Sequence, residues 1–265
     1  MEQAIDYSLL DLPEISQAMF YPQQVWSPTP PEASDHLIPV DSGVSISGRF
    51  YPRDRELPSI LFFHGNGEVA CQYDSLAPYY INAWANLFIA DFRGYGRSGG
   101  EPSFSRMISD AGVIFRYFQG FLASEQFTGS LFVKGRSLGC HSAVELAARH
   151  RGEINGLITE SGSSAIERTI QRWGLDTESA AIQQLVRLHR EKIGSISLPM
   201  LVIHGEMDEL IPIEAAVTLC EAVSSEDITF QVIPGAGHND LLWLGTEQYF
   251  AAVQKFISGH SPLLR

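Results

Sequence analysis

Residues 131–139 have the sequence LFVKGRSLG, and this stretch decides the fold. The mainly apolar run Leu131–Lys134 is typical of a buried strand, and a helical pattern that contains several alanines follows from Leu138 to His150. The glycines two residues before and after Ser137 allow the sharp turn that joins a strand to a helix. The stretch therefore predicts a strand, a strained turn that exposes Ser137 and a helix.

Outward from this stretch, short apolar runs alternate with helical patterns. The further predicted strands are Ile60–Phe63, Leu87–Asp91, Gly156–Thr159, Met200–His204 and Thr229–Ile233, after an exposed hairpin Leu37–Tyr51 with its turn at Asp41-Ser42-Gly43. The further predicted helices are Met107–Phe118, behind the caps Ser103 and Ser105, and Leu241–Ile257, behind Asn239 or Asp240. This alternation predicts an α/β fold with a mostly parallel central sheet and helices on both faces.

The domain organisation follows from length and from the segments that do not fit this alternation. A chain of 265 residues of this kind folds as one unit, so residues 37–265 are predicted to be a single domain. Residues 1–36 end in a proline cluster and are predicted to pack as an irregular N-terminal extension. Residues 161–196 are too long for one crossover helix and predict a short helical cap inserted over the carboxyl edge of the sheet.

Composition excludes several classes of partner. The formal net charge of −13 opposes binding to nucleic acid or to anionic membranes. No run reaches the roughly 18 apolar residues of a membrane span, and residues 1–12 lack the basic start of a secretory signal, so no stable membrane insertion is predicted. The three scattered cysteines favour a reducing, cytoplasmic setting without disulfides, and the chain is predicted to need no metal or cofactor. Nothing in the sequence favours a particular oligomeric state.

The motif Gly-x-Ser-x-Gly occurs twice, around Ser98 and around Ser137. The motif alone is weak, so its context decides. Ser137 stands between a strand and a helix, whereas Ser98 stands in a glycine-rich loop that contains Arg93–Gly96 and ends at Pro102. Ser137 is therefore the predicted nucleophile.

A serine hydroxyl needs a base, and histidine is the usual one because its unperturbed pKa of about 6.5 lies close to neutrality. Of the eight histidines, His238 lies in a glycine-rich loop directly after the last predicted strand. His64 and His204 end strands but precede turn glycines, which favours structural roles. The remaining histidines lie in helical stretches or in the leader: His36, His141, His150, His189 and His260.

The histidine in turn needs a carboxylate that holds its tautomer. Asp208 follows the strand Met200–His204 and gives the chain order Ser, Asp, His. Three other acids remain open as alternatives: Glu206, Glu209 and Glu160, the last at the end of the preceding strand.

The oxyanion formed during attack needs preorganised N–H donors. The backbone N–H of Leu138, directly after the predicted nucleophile, is one candidate. The turn His64-Gly65-Asn66-Gly67-Glu68 follows an earlier strand, and the N–H of Asn66 is the candidate for the second donor.

With these residues placed, the chain resembles the α/β-hydrolase superfamily from about Ile38 to Phe256, and is similar to its small BEM46-like and ABHD-type serine hydrolases. Phe63–Gly67 resembles the oxyanion loop, Asp91–Ser98 the loop after the next strand, and Gly135–Gly139 the nucleophile elbow. The resemblance implies that the loop Arg93–Gly100 is chiefly structural and that the enzyme is an esterase or thioesterase.

The predicted function is hydrolysis of a carboxylic ester or thioester in a small-molecule acyl substrate, with Ser137, Asp208 and His238 as a catalytic triad and with Asn66 and Leu138 as the oxyanion hole. Two alternatives remain open: a serine peptidase or amidase on the same triad, and a non-catalytic ligand-binding homologue. A nicotinamide-binding protein is a weaker alternative, because no Gly-x-Gly-x-x-Gly follows the first strand.

Overall fold

The structure is a computed structural model that describes residues 5–262. The first four residues of the predicted extension 1–36, and with them part of the N-terminal segment compared with a secretory signal, lie outside the described residues, as do the last three residues of the predicted domain 37–265. The strands are β1 (Ser34–Asp41), β2 (Val44–Tyr51), β3 (Ser59–Phe63), β4 (Asn86–Ala90), β5 (Leu131–Arg136), β6 (Gly156–Glu160), β7 (Met200–Gly205) and β8 (Ile228–Ile233).

All eight strands join one sheet in the order β1-β2-β4-β3-β5-β6-β7-β8. The hairpin β1–β2 is antiparallel and pairs antiparallel with β4, whereas β4, β3, β5, β6, β7 and β8 run parallel. The predicted mostly parallel sheet and its strands are confirmed. Because the parallel strands point the same way, the loops that follow β3, β5, β7 and β8 meet at one edge.

Helices cover both faces of the sheet, as the sequence predicts. They are α1 (Pro13–Met19), α2 (Ala77–Asn82), α3 (Phe104–Ser124), α4 (Cys140–Arg149), α5 (Glu167–Arg172), α6 (Ala180–Gly194), α7 (Ile213–Ala222) and α8 (Leu241–Gly259). Alternate residues of β3 divide between two cores: Leu61 and Phe63 join α3, α4, α6 and α7, while Ile60 and Phe62 join α2 and α8. None of the helices within residues 5–262 is long and apolar enough to cross a membrane.

The N-terminal leader is more ordered than an irregular extension, and that prediction is wrong for Pro13–Met19, which form α1. Pro13 occupies the first turn, where its fixed φ favours a helix and its missing N–H costs nothing. Tyr7, Ile15 and Phe20 are buried, so the leader packs through its apolar side chains against the face that α3 covers.

The segment 161–196 contains α5 and α6. Helix α6 packs against α4 and α7 and connects β6 to its parallel neighbour β7, which makes it the crossover helix of this pair. Residues 161–179, which include α5, are additional to that crossover. The cap insertion over residues 161–196 remains a prediction.

Candidate active site

Ser137 lies at the turn between the central strand β5 and the helix α4. Strand β5 ends at Arg136, a single 3-10 turn spans Ser137–Gly139, and α4 begins at Cys140. The φ of Ser137 is +49°, in the left-handed region that a non-glycine residue adopts at a cost of about 1 to 3 kcal/mol. Such strain persists only where the surroundings enforce it, and here it holds the serine at the carboxyl edge of the sheet.

The two glycines around Ser137 allow the strand and the helix to cross closely. A Cβ at Gly135 would lie 2.5 Å from the carbonyl oxygen of Gly139, and a Cβ at Gly139 would lie 2.1 Å from that of Phe63. Both distances are shorter than any real contact, so the backbone itself excludes a side chain at either position.

We expect Gly139→Ala to lower the free energy of unfolding by about 1 to 3 kcal/mol, because the new methyl group would displace the Phe63 carbonyl. Gly120→Ala is the matched control: it lies inside α3 and its Cβ would have no neighbour within 4 Å. The control should gain about 0.5 to 1 kcal/mol from helix propensity. Denaturant unfolding measures both, and a Gly139→Ala protein as stable as the wild type would contradict the close approach.

Ser137, His238 and Asp208 form one hydrogen-bonded chain. With the ring proton on Nδ1, His238 donates to Asp208 Oδ2 over 2.8 Å, and its Nε2 accepts from Ser137 Oγ over 3.0 Å. His238 lies in the loop after β8, and Asp208 in the turn after β7. The structure thus brings together three side chains from three loops, spaced as a nucleophile, a base and an orienting acid require.

The Asp208 carboxylate is held by its own turn. It is 5% exposed, and its Oδ1 accepts from the N–H groups of Leu210 and Ile211 at 3.0 and 2.8 Å. His204 braces the same turn, since its ring donates to the carbonyl oxygen of Ile211 over 2.8 Å. These bonds leave Oδ2 directed at His238.

The alternative acids have other partners. Glu206 accepts from the N–H of Gly235 over 2.9 Å, Glu209 is exposed, and Glu160 is paired with Lys134 and Arg136. Of the four candidate carboxylates, Asp208 is the one bonded to the His238 ring. Across residues 5–262, no three histidine, cysteine or carboxylate side chains group as metal ligands would.

The second Gly-x-Ser-x-Gly motif lies in a loop, as its flanking sequence predicts. Ser98 is 7% exposed, and its Oγ accepts from the N–H of Ser47 over 2.8 Å. Ser47 also donates to Asp91, whose other oxygen accepts from the N–H of Ala70 and contacts His64 Nε2 at 3.2 Å. These bonds give Ser98 and His64 structural partners away from the Ser137 chain.

The predicted oxyanion donors lie on neighbouring segments. Phe63 pairs with Gly135 in the parallel register of β3 and β5, so the loop after β3 starts beside the turn that carries Ser137. Leu138 lies in the first turn after the strand, where the N–H groups have no partner within the helix. The N–H of Gly65 is taken by the Glu68 carboxylate over 2.7 Å, which leaves Asn66 as the next donor along the loop.

A buried charged network behind Ser137 was missed by sequence reasoning. Arg136 binds Glu160 and Glu68, and it also donates to the carbonyl oxygen of His238 over 3.0 Å. Lys134, on the same face of β5, binds Glu160 over 2.6 Å. One guanidinium therefore connects the turn, the loop after β3 and the histidine loop.

The network has a defined charge state. Burial by itself raises the pKa of Glu160, but the cations Lys134 and Arg136 outweigh it and hold this pKa at about 2. Burial lowers the pKa of Lys134, and Glu160 offsets only part of that change. The signal that could have revealed the network is two cations, Lys134 and Arg136, at alternate positions of an otherwise apolar strand.

Comparisons with known proteins place the chain among hydrolases of known sequence and fold. The family profile described as "Serine aminopeptidase, S33" matches residues 56–190 and 180–242. Protein bem46 of Schizosaccharomyces pombe is 28% identical over 205 residues, which are 76% of this chain and 67% of bem46. A monoacylglycerol lipase of Mycolicibacterium smegmatis is 25% identical over 251 residues, covering 77% of this chain and 90% of the lipase. Among solved structures, the Pyrococcus furiosus esterase Pf2001 superposes with a TM-score of 0.72 at 19% identity, covering 90% of this chain and 98% of the esterase, which is a likeness of fold.

Proposed function

This chain belongs to the serine aminopeptidase S33 family of α/β-hydrolases and is therefore a hydrolase, and we propose that it cleaves carboxylic esters or thioesters through an acyl-enzyme on Ser137. The observation that carries the proposal is the hydrogen-bonded chain from Ser137 through His238 to Asp208, with links of 3.0 and 2.8 Å. Ester hydrolysis is also the coarser activity that the names of the relatives favour.

In the proposed acylation step, Ser137 Oγ forms a bond to the substrate carbonyl carbon while His238 Nε2 takes the hydroxyl proton. The carbonyl π electrons move to oxygen, where the N–H groups of Leu138 and Asn66 stabilise the negative charge. Asp208 stabilises the imidazolium. The carbon–oxygen or carbon–sulfur bond then breaks, and the histidine gives its proton to the departing alkoxide or thiolate.

Deacylation repeats the sequence with water. His238 takes a proton from the water as its oxygen attacks the acyl carbon, and the acid product leaves as Ser137 regains the proton. No cofactor or metal takes part in either step. A small-molecule acyl substrate and a cytoplasmic location complete the proposal.

A fluorophosphonate probe tests the serine assignment directly. Wild type should be labelled on the peptide that contains Ser137, and Ser137→Ala should lose the label. Ser98→Ala is the matched control, because it removes the serine of the same motif in the structural loop, and it should keep both the label and the turnover. Labelling that persists in Ser137→Ala, or that maps to Ser98, would refute the mechanism.

Peptide hydrolysis is the second candidate, since the family description names an aminopeptidase. An aminopeptidase needs an anionic group near the triad that binds the free amino group of its substrate. Glu68 is paired with Arg136, and one carboxylate oxygen of the exposed Glu206 accepts from the Gly235 N–H over 2.9 Å. Comparing turnover of acyl nitrophenyl esters with that of aminoacyl nitroanilides separates the two activities, and we expect the esters to be the better substrates.

A further inference from the structure

The side chain of Asn66 binds the N-terminal leader as a neighbouring strand would. Its Nδ2 donates to the carbonyl oxygen of Met19 and its Oδ1 accepts from the N–H of Tyr21, each over 2.8 Å. One carboxamide thus pairs with the carbonyl and N–H groups of two leader residues, which fixes both the leader and the orientation of the amide.

The hydroxyl of Tyr95 also binds both partners of this contact, Asn66 and Tyr21. Tyr95 is fully buried, and its hydroxyl donates to Asn66 Oδ1 over 2.6 Å and accepts from the N–H of Tyr21 over 2.7 Å. The backbone N–H of Gly67 also contacts this hydroxyl. The loop after β3 and the leader therefore share one buried polar anchor, contributed by the loop after β4.

Residues 19–23 of the leader are here named the strap. The strap is fixed at two further points, besides its contact with Asn66. Phe20 is 4% exposed and packs in the core beneath the strap, and the carbonyl oxygen of Gln23 accepts from the N–H of Gly96 over 2.8 Å. The strap thus runs along the two loops that follow β3 and β4, although it is more than 40 residues distant from them in sequence.

We propose that the strap is part of the hydrolytic site: Asn66 and Tyr95 act as positioning residues that couple it to the Asn66 N–H, which is the second oxyanion donor. The inference rests on the proposed function of that N–H. An oxyanion donor works only when it lies about 2.7 to 3.1 Å from the developing charge, so a small displacement of the loop lowers the rate. Binding of the ground-state carbonyl depends much less on it.

Two neutral substitutions test the coupling from different sides. Asn66→Ala removes both side-chain contacts to the strap, and Tyr95→Phe removes the hydroxyl anchor from a fully buried position. Each should lower kcat about tenfold with KM within about twofold, and should weaken a trifluoromethyl ketone inhibitor by the same factor, because its oxyanion uses the same donors. Hydrogen exchange at the Tyr21 amide should become faster in both.

The controls match each substitution. Asn82→Ala changes an exposed asparagine at the end of α2, and Tyr117→Phe removes a hydroxyl that bonds His36 of the end strand β1 over 3.0 Å. Both should keep wild-type kcat. The inference is overturned if Tyr21 exchanges faster in Asn66→Ala and Tyr95→Phe while kcat and inhibitor affinity stay at wild-type values, which would leave the strap a purely structural role. Turnover that survives Ser137→Ala would instead overturn the proposed function itself.

Discussion

Ser137→Ala should lower kcat by about four to six orders of magnitude while leaving the sheet and its helices intact. The hydroxyl that His238 contacts at 3.0 Å is the atom proposed to form the acyl bond, and alanine has no atom that could replace it. Burst and steady-state hydrolysis of a nitrophenyl ester measure the effect. Residual turnover within tenfold of wild type would contradict the assignment.

Ser137→Gly separates the chemistry from the strain at the same position. Glycine adopts the φ of +49° without steric cost, so this variant should be as inactive as the alanine variant. Its free energy of unfolding should nevertheless rise by about 0.5 to 1 kcal/mol above that of Ser137→Ala. If Ser137→Gly is more stable than Ser137→Ala and both are inactive, the left-handed backbone at position 137 is a strain that the wild type retains for function.

Glu160→Gln should lower the free energy of unfolding at neutral pH by about 3 to 5 kcal/mol, because it removes the carboxylate that Lys134 and Arg136 share in the interior. The Lys134 side chain is fully buried, so its charge would lack the counter-ion at 2.6 Å. Glu153→Gln is the matched control: the pKa of Glu153 is also held at about 2, first by its hydrogen bond to Arg116, but the pair is solvent-exposed. The control should cost less than about 1 kcal/mol.

The pH dependence of the same variant follows from the two pKa shifts. The folded-state pKa of Glu160, about 2, lies below the unfolded value of about 4.3, so its contribution to stability is complete above about pH 5 and is lost as pH falls towards 2. Glu160→Gln should lack this acid limb. Without Glu160, the burial that lowers the pKa of Lys134 is no longer partly offset, so unfolding takes up a proton and the variant should regain stability as pH rises from neutrality towards the ordinary lysine pKa of about 10.4. A constant difference from wild type across this range would contradict the buried pair.

The strands and the turn at Ser137 could be predicted because their signals are local. Buried parallel strands are short, mainly apolar runs, such as Gly156–Glu160. The tight turn requires glycine where a Cβ would clash, and the sequence has Gly135 and Gly139 at those positions. The order of Ser137, Asp208 and His238 then predicted which side chains would meet at one edge. The bonds at 3.0 and 2.8 Å agree with that expectation, and the catalytic roles remain proposals.

The features that were missed depend on long-range contacts. Helix α7 was not predicted, because its buried stripe is limited to Ala216 and Leu219 and its start follows directly on the turn of the predicted acid. The contact of Asn66 with Met19 joins residues 47 positions apart, and neither the loop after β3 nor the leader has a local sequence pattern that would indicate it. Arg136 occupies a variable position of its motif, so its role depends on Glu68 and Glu160, which only folding brings close.

Strand β8 lies at one end of the sheet, which affects how the enzyme loses activity on unfolding. This strand pairs with β7 on one side and is only partly covered, and the loop that follows it carries His238. Edge segments with few buried contacts open locally at a lower free energy than the centre of a domain. Local unfolding of β8 would move the His238 imidazole away from Ser137 while β3 and β5 stay folded. In mild denaturant, we therefore expect the enzyme to lose activity before most of its structure unfolds.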